Sequence, residues 1–491
     1  MTMSLLFPST AEQSAVVDAA LQGGDLKVKA YAGAGKTSTL ELLASAMGER
    51  RCSYLAFNKT IAEHARHKFP APVNCRTVHS LAFASVNAAL TARLNLPEEA
   101  PHQLAARYKI QPIRVPSVTG RDLDLEQFDL GRMIIEGLGR FCRSADAVPL
   151  AEHIVVDEKV DERAAAWLRS NLVPHVVRLW QESVDPRGRS AIIPDVYLKV
   201  WAQSNPKINA DVILFDEAQD SDGVMLSVLS RQKHAQTIYV GDPYQQIYEW
   251  RGAINAMAAI EAPERRLTQS FRFGSQIAIL ASEILRALGE KTPVRGKENL
   301  GSFVVYDPSI QPPVDAVLCR KNVTAIWELA SGVVAGKKPA IRMRAAEILA
   351  YADGADSLMV GKRAFRPAAF SLFETWKEAQ DYSRSVAGRD TQPIVEFIDE
   401  YGTNGLRSLV PMITPEEKAD YVISTVHRAK GLEWGRVKLM NDFRFRKEDG
   451  KTALDEDELR LLYVACTRAK HVLDITEIQN ELAWALINGS K

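Results

Sequence analysis

The sequence predicts a multidomain α/β fold, and three stretches predict it. Residues 26–30 read as a short strand that runs into Ala30-Tyr-Ala-Gly-Ala-Gly-Lys-Thr37, and helical periodicity begins at Thr37. Strand, glycine loop and helix in that order are the local frame of a phosphate-cradling loop. The apolar run at 211–215 ends in an acidic pair within Leu214-Phe-Asp-Glu-Ala-Gln-Asp220. A further strand at 237–240 leads straight into Gly241-Asp-Pro243. Strands alternating with helical segments place the chain in the α/β class.

The remaining elements follow in order. Thr10 followed by Gln13 is a helix start with the spacing of a capping box. Residues 52–57 form a second buried strand, followed by a helix at 59–68. Residues 88–205 are mostly helical in pattern, interrupted by Pro97, Pro101, Pro112, Pro116 and Pro149. That block separates the first strands from the strand at 211–215, so it reads as an inserted helical domain. A second α/β unit is expected to begin near Glu264, with strands at 303–306, 316–319, 420–425 and 437–441. The stretch 325–415 is less regular, with Gly- and Pro-bearing turns.

Composition limits the classes. With 491 residues the chain is too long for one compact core, and roughly two to four domains are expected. Lys+Arg and Asp+Glu both total 61, so any basic footprint for nucleic acid must be local. The five cysteines are scattered without a CxxC pair, which fits reduced core thiols rather than a metal site. No apolar run approaches the roughly 18 residues of a membrane span, and the N-terminus lacks a basic signal region. An intracellular protein is expected, cytoplasmic or nucleoid-associated, with no membrane partner.

The chemistry points to Mg-nucleoside triphosphate. Glycines let the N–H groups of Ala32, Gly33, Ala34 and Gly35 turn toward phosphate oxygens. Lys36 would reach the β/γ phosphates and Thr37 would ligate Mg²⁺. The loop opens on Ala30, where the usual pattern has Gly. Asp216 suits Mg²⁺ ligation, and Glu217 suits the general base for an attacking water. Two arginines, Arg272 in QSFR and Arg468 in YVACTR, are candidates to stabilise charge on the γ-phosphate.

The order of motifs resembles the UvrD/Rep/PcrA-like group of superfamily 1 helicases. The segments are TAEQ at 10–13, AYAGAGKT at 30–37, AFNK at 56–59, RTVHS at 76–80 and FDEAQD at 215–220. They continue with VGDPYQQIYEWRGA at 240–253, LTQSFRF at 267–273, STVHRAKGLEW at 424–434 and ELRLLYVACTRAK at 458–470. The resemblance implies two RecA-like P-loop NTPase domains with ATP between them, each carrying an insertion. The expected boundaries are 1–87 with 206–262 for the first domain and 88–205 for its helical insertion. The second domain is expected at 263–324 with 416–491, and a reduced second insertion at 325–415. The resemblance further implies that Gln13 reads the adenine edge and that Phe271 stacks on the base. Gln245 would couple the γ-phosphate to the DNA site, Arg272 and Arg468 would contact that phosphate, and Glu433 would approach the ribose. Ser38 stands where Arg is frequent, and Gln246 where Ser or Ala is usual. The short form is most similar to the F-box helicase branch. No F-box segment is visible, so no ubiquitin-ligase role is expected.

The expected partner is single-stranded DNA, including junctions with duplex. Single-strand motors grip the backbone with polar groups and stack bases on aromatics. Tyr248, Trp250 and Arg251 follow Gln245 closely, so nucleotide state and base stacking are linked through one segment. Phe57 and Asn58 are further candidates for this track, as are Thr77, His79, Thr425 and His427. The leading expectation is an ATP-dependent 3′→5′ DNA helicase or translocase acting as a monomer, its polarity taken from the resemblance alone. Two other readings are a translocase that strips recombination proteins from single strands, and an ATP-switched partner of a nuclease.

Overall fold

The computed structural model describes residues 9–56, 58–70, 72–118, 120, 122–247, 256–364, 366–367, 369–371, 373–384, 391–448, 451–453 and 455–488. The expected DNA-track residues Phe57, Tyr248, Trp250 and Arg251 lie outside these. The chain divides into two compact units. The first comprises residues 1–30 and 35–267, and the second comprises residues 31–34 and 268–491.

In the first unit six parallel strands form one sheet. They are β1 (Leu26–Ala30), β2 (Cys52–Ala56), β3 (Asn74–Thr77), β4 (Val212–Phe215), β5 (Gln236–Gly241) and β6 (Glu264–Leu267). Their spatial order is β3-β2-β4-β5-β1-β6. Every residue of β2, β4 and β5 is buried, as expected for central strands covered by helices on both faces. The edge strands β3 and β6 expose polar and charged residues instead, which blunts the sheet against further pairing. The second α/β unit is expected to begin near Glu264, yet the strand found there, β6, pairs with β1 in the first sheet. The boundary therefore falls after Leu267 rather than near residue 263. Because β4, β5 and β1 are neighbours and all parallel, the loops leaving their C-terminal ends gather at one sheet edge, where ligands bind in open α/β sheets. These are the phosphate loop, the Asp216–Glu217 turn and the Gly241–Asp242 turn.

The helical block has its own core. Leu104, Ile134, Phe141, Leu172 and Val176 meet inside it, contributed chiefly by helices Gln127–Arg143 and Glu162–Val184. It also holds an antiparallel hairpin, Ile113–Val115 with Leu123–Leu125, that the helical pattern concealed. Its final helix, Pro194–Gln203, turns Leu198 and Trp201 against Leu55, Ile213 and Tyr239 of the sheet. That helix is thus part of the α/β layer as much as of the block.

The second unit contains a second parallel sheet of six strands. These are β7 (Phe303–Val305), β8 (Ala316–Cys319), β9 (Pro339–Ile341), β10 (Tyr421–Thr425), β11 (Trp434–Leu439) and β12 (Ala469–Asp474). They lie in the order β9-β10-β8-β11-β12-β7. The irregular-looking stretch 325–415 contains most of helix Asn322–Val334 and all of helices Ala345–Met359, Trp376–Ser383 and Gln392–Leu409. Ile326, Ile348, Phe370, Ile398 and Leu406 from this stretch share one core with Val317, Cys319 and Ile423 of the sheet. The segment expected as a reduced insertion is therefore a layer packed on the second sheet. All five cysteines are buried and free. Among the described residues no helix is long and apolar enough to cross a membrane.

Candidate nucleotide site

The phosphate loop is shaped by its glycines. Gly33 and Gly35 have φ of +72° and +76°, a region costly for residues with a Cβ. A Cβ at Gly33 would also lie 2.7 Å from Cβ of Arg272, so the close approach admits only glycine. Within the second unit, Phe271 donates its N–H to the Gly33 carbonyl (2.8 Å), Ala32 N–H donates to the Tyr463 hydroxyl (3.0 Å), and Tyr31 donates to the Thr292 carbonyl (3.1 Å). The helix Lys36–Ala46 starts at Gly35 with no side-chain cap. Its first-turn N–H groups and the positive end of its dipole suit an anion such as phosphate. Lys36 and Thr37 are half-buried on that turn, and Ser38 is exposed.

The acidic pair sits beside Lys36. Glu217 Oε1 is 3.9 Å from Lys36 Nζ. Asp216 is buried, accepts a hydrogen bond from the Tyr54 hydroxyl (2.7 Å) and accepts the Glu217 N–H (2.9 Å). Burial, and then the Glu217 charge, push the Asp216 carboxyl above its ordinary range, against the opposing pull of Tyr54 and Lys36. A buried carboxylate whose charge is opposed by burial and by a neighbouring carboxylate is a donor that a divalent cation relieves, so Asp216 and Thr37 fit Mg²⁺. Glu217 adopts φ +53° and ψ 42°, the left-handed region, which costs about 1–3 kcal/mol for a residue other than glycine. Such strain is held where the surroundings over-determine it, and here they do.

From Glu217 a buried chain of hydrogen bonds runs to Gln245. Gln219 Nε2 donates to Glu217 Oε2 (2.6 Å), and Asp242 N–H donates to Gln219 Oε1 (2.9 Å). Asp242 Oδ2 then accepts from Gln245 Nε2 (2.6 Å), and Oδ1 accepts the Tyr244 N–H (3.1 Å). Gly241 makes room for Gln219, whose Oε1 a Cβ there would strike. Tyr54, Gln219 and Asp242 received no role from the sequence. Their only signal was a tyrosine in a wholly buried strand, whose hydroxyl needs a partner, and polar residues flanking apolar strands.

Gln13 links the first two helices of the chain. It closes the capping box with Thr10 and donates from Nε2 to Thr39 Oγ1 at 3.2 Å.

In the second unit Phe271 is 42% exposed, whereas the Arg272 side chain is only 16% exposed. Arg272 donates from Nε to Glu433 Oε2 (2.6 Å) and from Nη1 to the Thr467 carbonyl (3.0 Å). Glu433, expected near a ribose, carries this ion pair and a second one to Lys470 Nζ (2.7 Å). Arg468 is 1% exposed and bonds the carbonyls of Val464 (2.9 Å) and Leu432 (3.2 Å) and the Thr467 hydroxyl (3.2 Å).

The residues expected along a DNA track have local structural work. Asn58 caps helix Lys59–Lys68 by accepting the Ile61 N–H, and Thr77 caps helix Val78–Ser85 in a box with Ser80. His79 meets the Tyr197 hydroxyl through Nδ1 (3.1 Å), and burial pushes its pKa down. Thr425 is buried at the end of β10, and His427 lies on the short helix Val426–Ala429 that follows.

A glycine loop feeding an uncapped helix, with a lysine and a strained acidic pair at the edge of a parallel sheet, defines a P-loop NTPase fold. More particularly, two stretches of the chain match UvrD-like helicase domains. The UvrD/REP helicase N-terminal domain matches residues 196–261, and the UvrD-like helicase C-terminal domain matches residues 372–480. The chain is 28% identical to F-box DNA helicase protein 1 of Schizosaccharomyces pombe, over 96% of this chain and 58% of that protein. It is 29% identical to F-box DNA helicase 1 of Gallus gallus, over 97% of this chain and 50% of that protein. The chain thus spans about half the length of the curated relatives it matches.

Proposed function

We propose that this chain is an ATP-driven motor that moves 3′→5′ along single-stranded DNA and separates strands. The observation that carries the reading is the hydrogen-bond chain from Glu217 through Gln219 and Asp242 to Gln245. It links the residue beside Lys36 to the segment that leads toward Tyr248, Trp250 and Arg251. In this reading the loop N–H groups and Lys36 bind the phosphates, with Gln13 and Phe271 at the base. Magnesium, held by Thr37 and Asp216, neutralises phosphate charge when bound. Glu217 takes the proton of the attacking water, and Arg272 and Arg468 stabilise the γ-phosphate oxygens. A change at Glu217 alters what Gln219 can donate to, and so moves Asp242 and Gln245. The matched helicase domains and the DNA helicases named above support DNA as the substrate. The polarity rests on the resemblance.

The domain reading is RecA-like domains at 1–87 with 206–267 and at 268–324 with 416–491, with a helical insertion at 88–205. Because 325–415 packs on the second sheet rather than forming its own core, a translocase that clears proteins from single strands is a second reading.

ATP hydrolysis with and without single-stranded DNA tests the motor. Single strands should stimulate hydrolysis, and a Trp250→Ala protein should keep basal hydrolysis and lose the stimulation. Hydrolysis indifferent to DNA would overturn the reading. A Tyr54→Phe protein should need about tenfold more magnesium for half-maximal hydrolysis, because the Asp216 carboxylate loses the donor that orients it. An unchanged magnesium requirement would show that Tyr54 does not position the metal ligand.

A further inference from the structure

Lys470 has no role in the proposed chemistry, yet it is placed against it. Strand β12 pairs with β11 so that Ala469 lies opposite Trp434, and Trp434 N–H donates to the Arg468 carbonyl at 3.0 Å. This register sets Lys470 beside Glu433. The Glu433 carboxylate then holds one cation on each oxygen, Arg272 Nε at 2.6 Å and Lys470 Nζ at 2.7 Å. Arg272 is further tied to the Thr467 carbonyl, and Arg468 to the Leu432 carbonyl, so three segments are stitched around one carboxylate.

We propose that Glu433 and Lys470 form a clasp that holds Arg272 until nucleotide arrives, with Lys470 the counter-ion that lets Arg272 exchange Glu433 for the γ-phosphate. Lys470 is thus a positioning residue that acts through Glu433. The inference rests on the reading that Arg272 meets that phosphate.

The physical argument concerns what remains when Arg272 moves. A guanidinium cannot satisfy Glu433 and a phosphate with the same donors. Once it turns away, the carboxylate, only 39% exposed, loses its bond to Arg272. An unpaired, partly desolvated charge is costly, so without a second cation the exchange is opposed. Lys470 already occupies the other oxygen and stays there. It also draws part of the carboxylate charge, which loosens the hold on Arg272. Burial alone would raise the Glu433 pKa, but the Lys470 hydrogen bond and the Arg272 charge hold it below its ordinary value. With both cations in place the carboxylate is therefore held as an anion. The lysine stem is flexible and reaches as a point charge, which suits a partner that must tolerate the departure of its neighbour.

The test compares binding of ADP and of a non-hydrolysable ATP analogue to wild type, Lys470→Met, Glu433→Gln and the double variant. Lys470→Met should weaken the analogue about twofold to fivefold, the range of a partly exposed ion pair, and leave ADP, which lacks the γ-phosphate, unchanged. In the Glu433→Gln background Lys470→Met should have no further effect, since the charge it compensates is gone. Lys470→Arg should restore analogue binding. Equal weakening of ADP and analogue, or the same Lys470→Met effect in both backgrounds, would overturn the clasp and leave Lys470 a structural or surface residue. An Arg272→Ala protein serves as control. If it keeps the wild-type preference for analogue over ADP, the γ-phosphate reading of Arg272 fails, and the clasp with it.

Discussion

Replacing Glu217 with Gln is expected to slow ATP hydrolysis about 10²- to 10⁴-fold, the range for removal of a positioned general base. Nucleotide binding should be retained or tightened. The amide has the same shape, and its oxygen can still accept from Gln219 Nε2, so the buried chain to Gln245 persists. What is lost is the ability to take a proton. The charge beside Asp216 is lost too, and with it one of the causes that raise the Asp216 pKa. Asp216 then becomes the better magnesium ligand, which is why affinity should not fall. Phosphate release measured with and without single-stranded DNA, beside titration of a non-hydrolysable analogue, separates the two effects. A loss smaller than about tenfold would remove Glu217 as the base. A parallel loss of analogue binding would mean that the substitution had disturbed the loop at residues 216–220, whose left-handed Glu217 is the strained point.

What was legible in the sequence is what local chemistry determines. Strands β2, β4 and β5 announce themselves as largely apolar runs because both of their faces are buried. The phosphate loop is legible because only glycine meets its backbone demands. Besides β6, strands β3, β9 and β12 were not foreseen. The first is a polar edge strand, the second has three residues, and the third begins among the residues of the YVACTRAK motif. A second unit could be read as beginning near Glu264, but the strand there, β6, pairs with β1, a partner set by residues far away in the chain. The same holds for the site. Tyr54 and Asp216 are 162 positions apart, and no spacing rule connects them. Asn58 and Thr77 show the converse. Side chains that can bind phosphate can also accept a helix N–H, and the local geometry gives both of them capping duties. Their motif alone could not distinguish these uses.

The two arginines drew the same expectation from the sequence, and the structure sets them in opposite environments. Arg272 is paired with a carboxylate that Lys470 can keep, so an Arg272→Ala protein should remain folded. It should hydrolyse ATP about 10³-fold more slowly, as when a transition-state arginine is removed. Its unfolding midpoint should stay near that of wild type, because a partly exposed ion pair contributes at most about 1 kcal/mol. Arg468 is buried at the end of helix Glu456–Cys466 and satisfies the Val464 and Leu432 carbonyls. An Arg468→Ala protein leaves those acceptors without that donor and opens a cavity where one of the largest wholly buried side chains among the described residues stood. A loss on the order of 3 kcal/mol is expected from unmet acceptors and cavity together. For a unit of this size that corresponds to a fall of about 6–12 °C in midpoint. Arg468→Lys separates charge from geometry, since it retains a cation but cannot span Val464, Leu432 and Thr467 with one planar fork. Thermal unfolding of the nucleotide-free proteins beside hydrolysis rates decides the matter. If Arg272→Ala proved the destabilised protein and Arg468→Ala the stable one, the assignment of a mobile and a fixed arginine would have to be reversed.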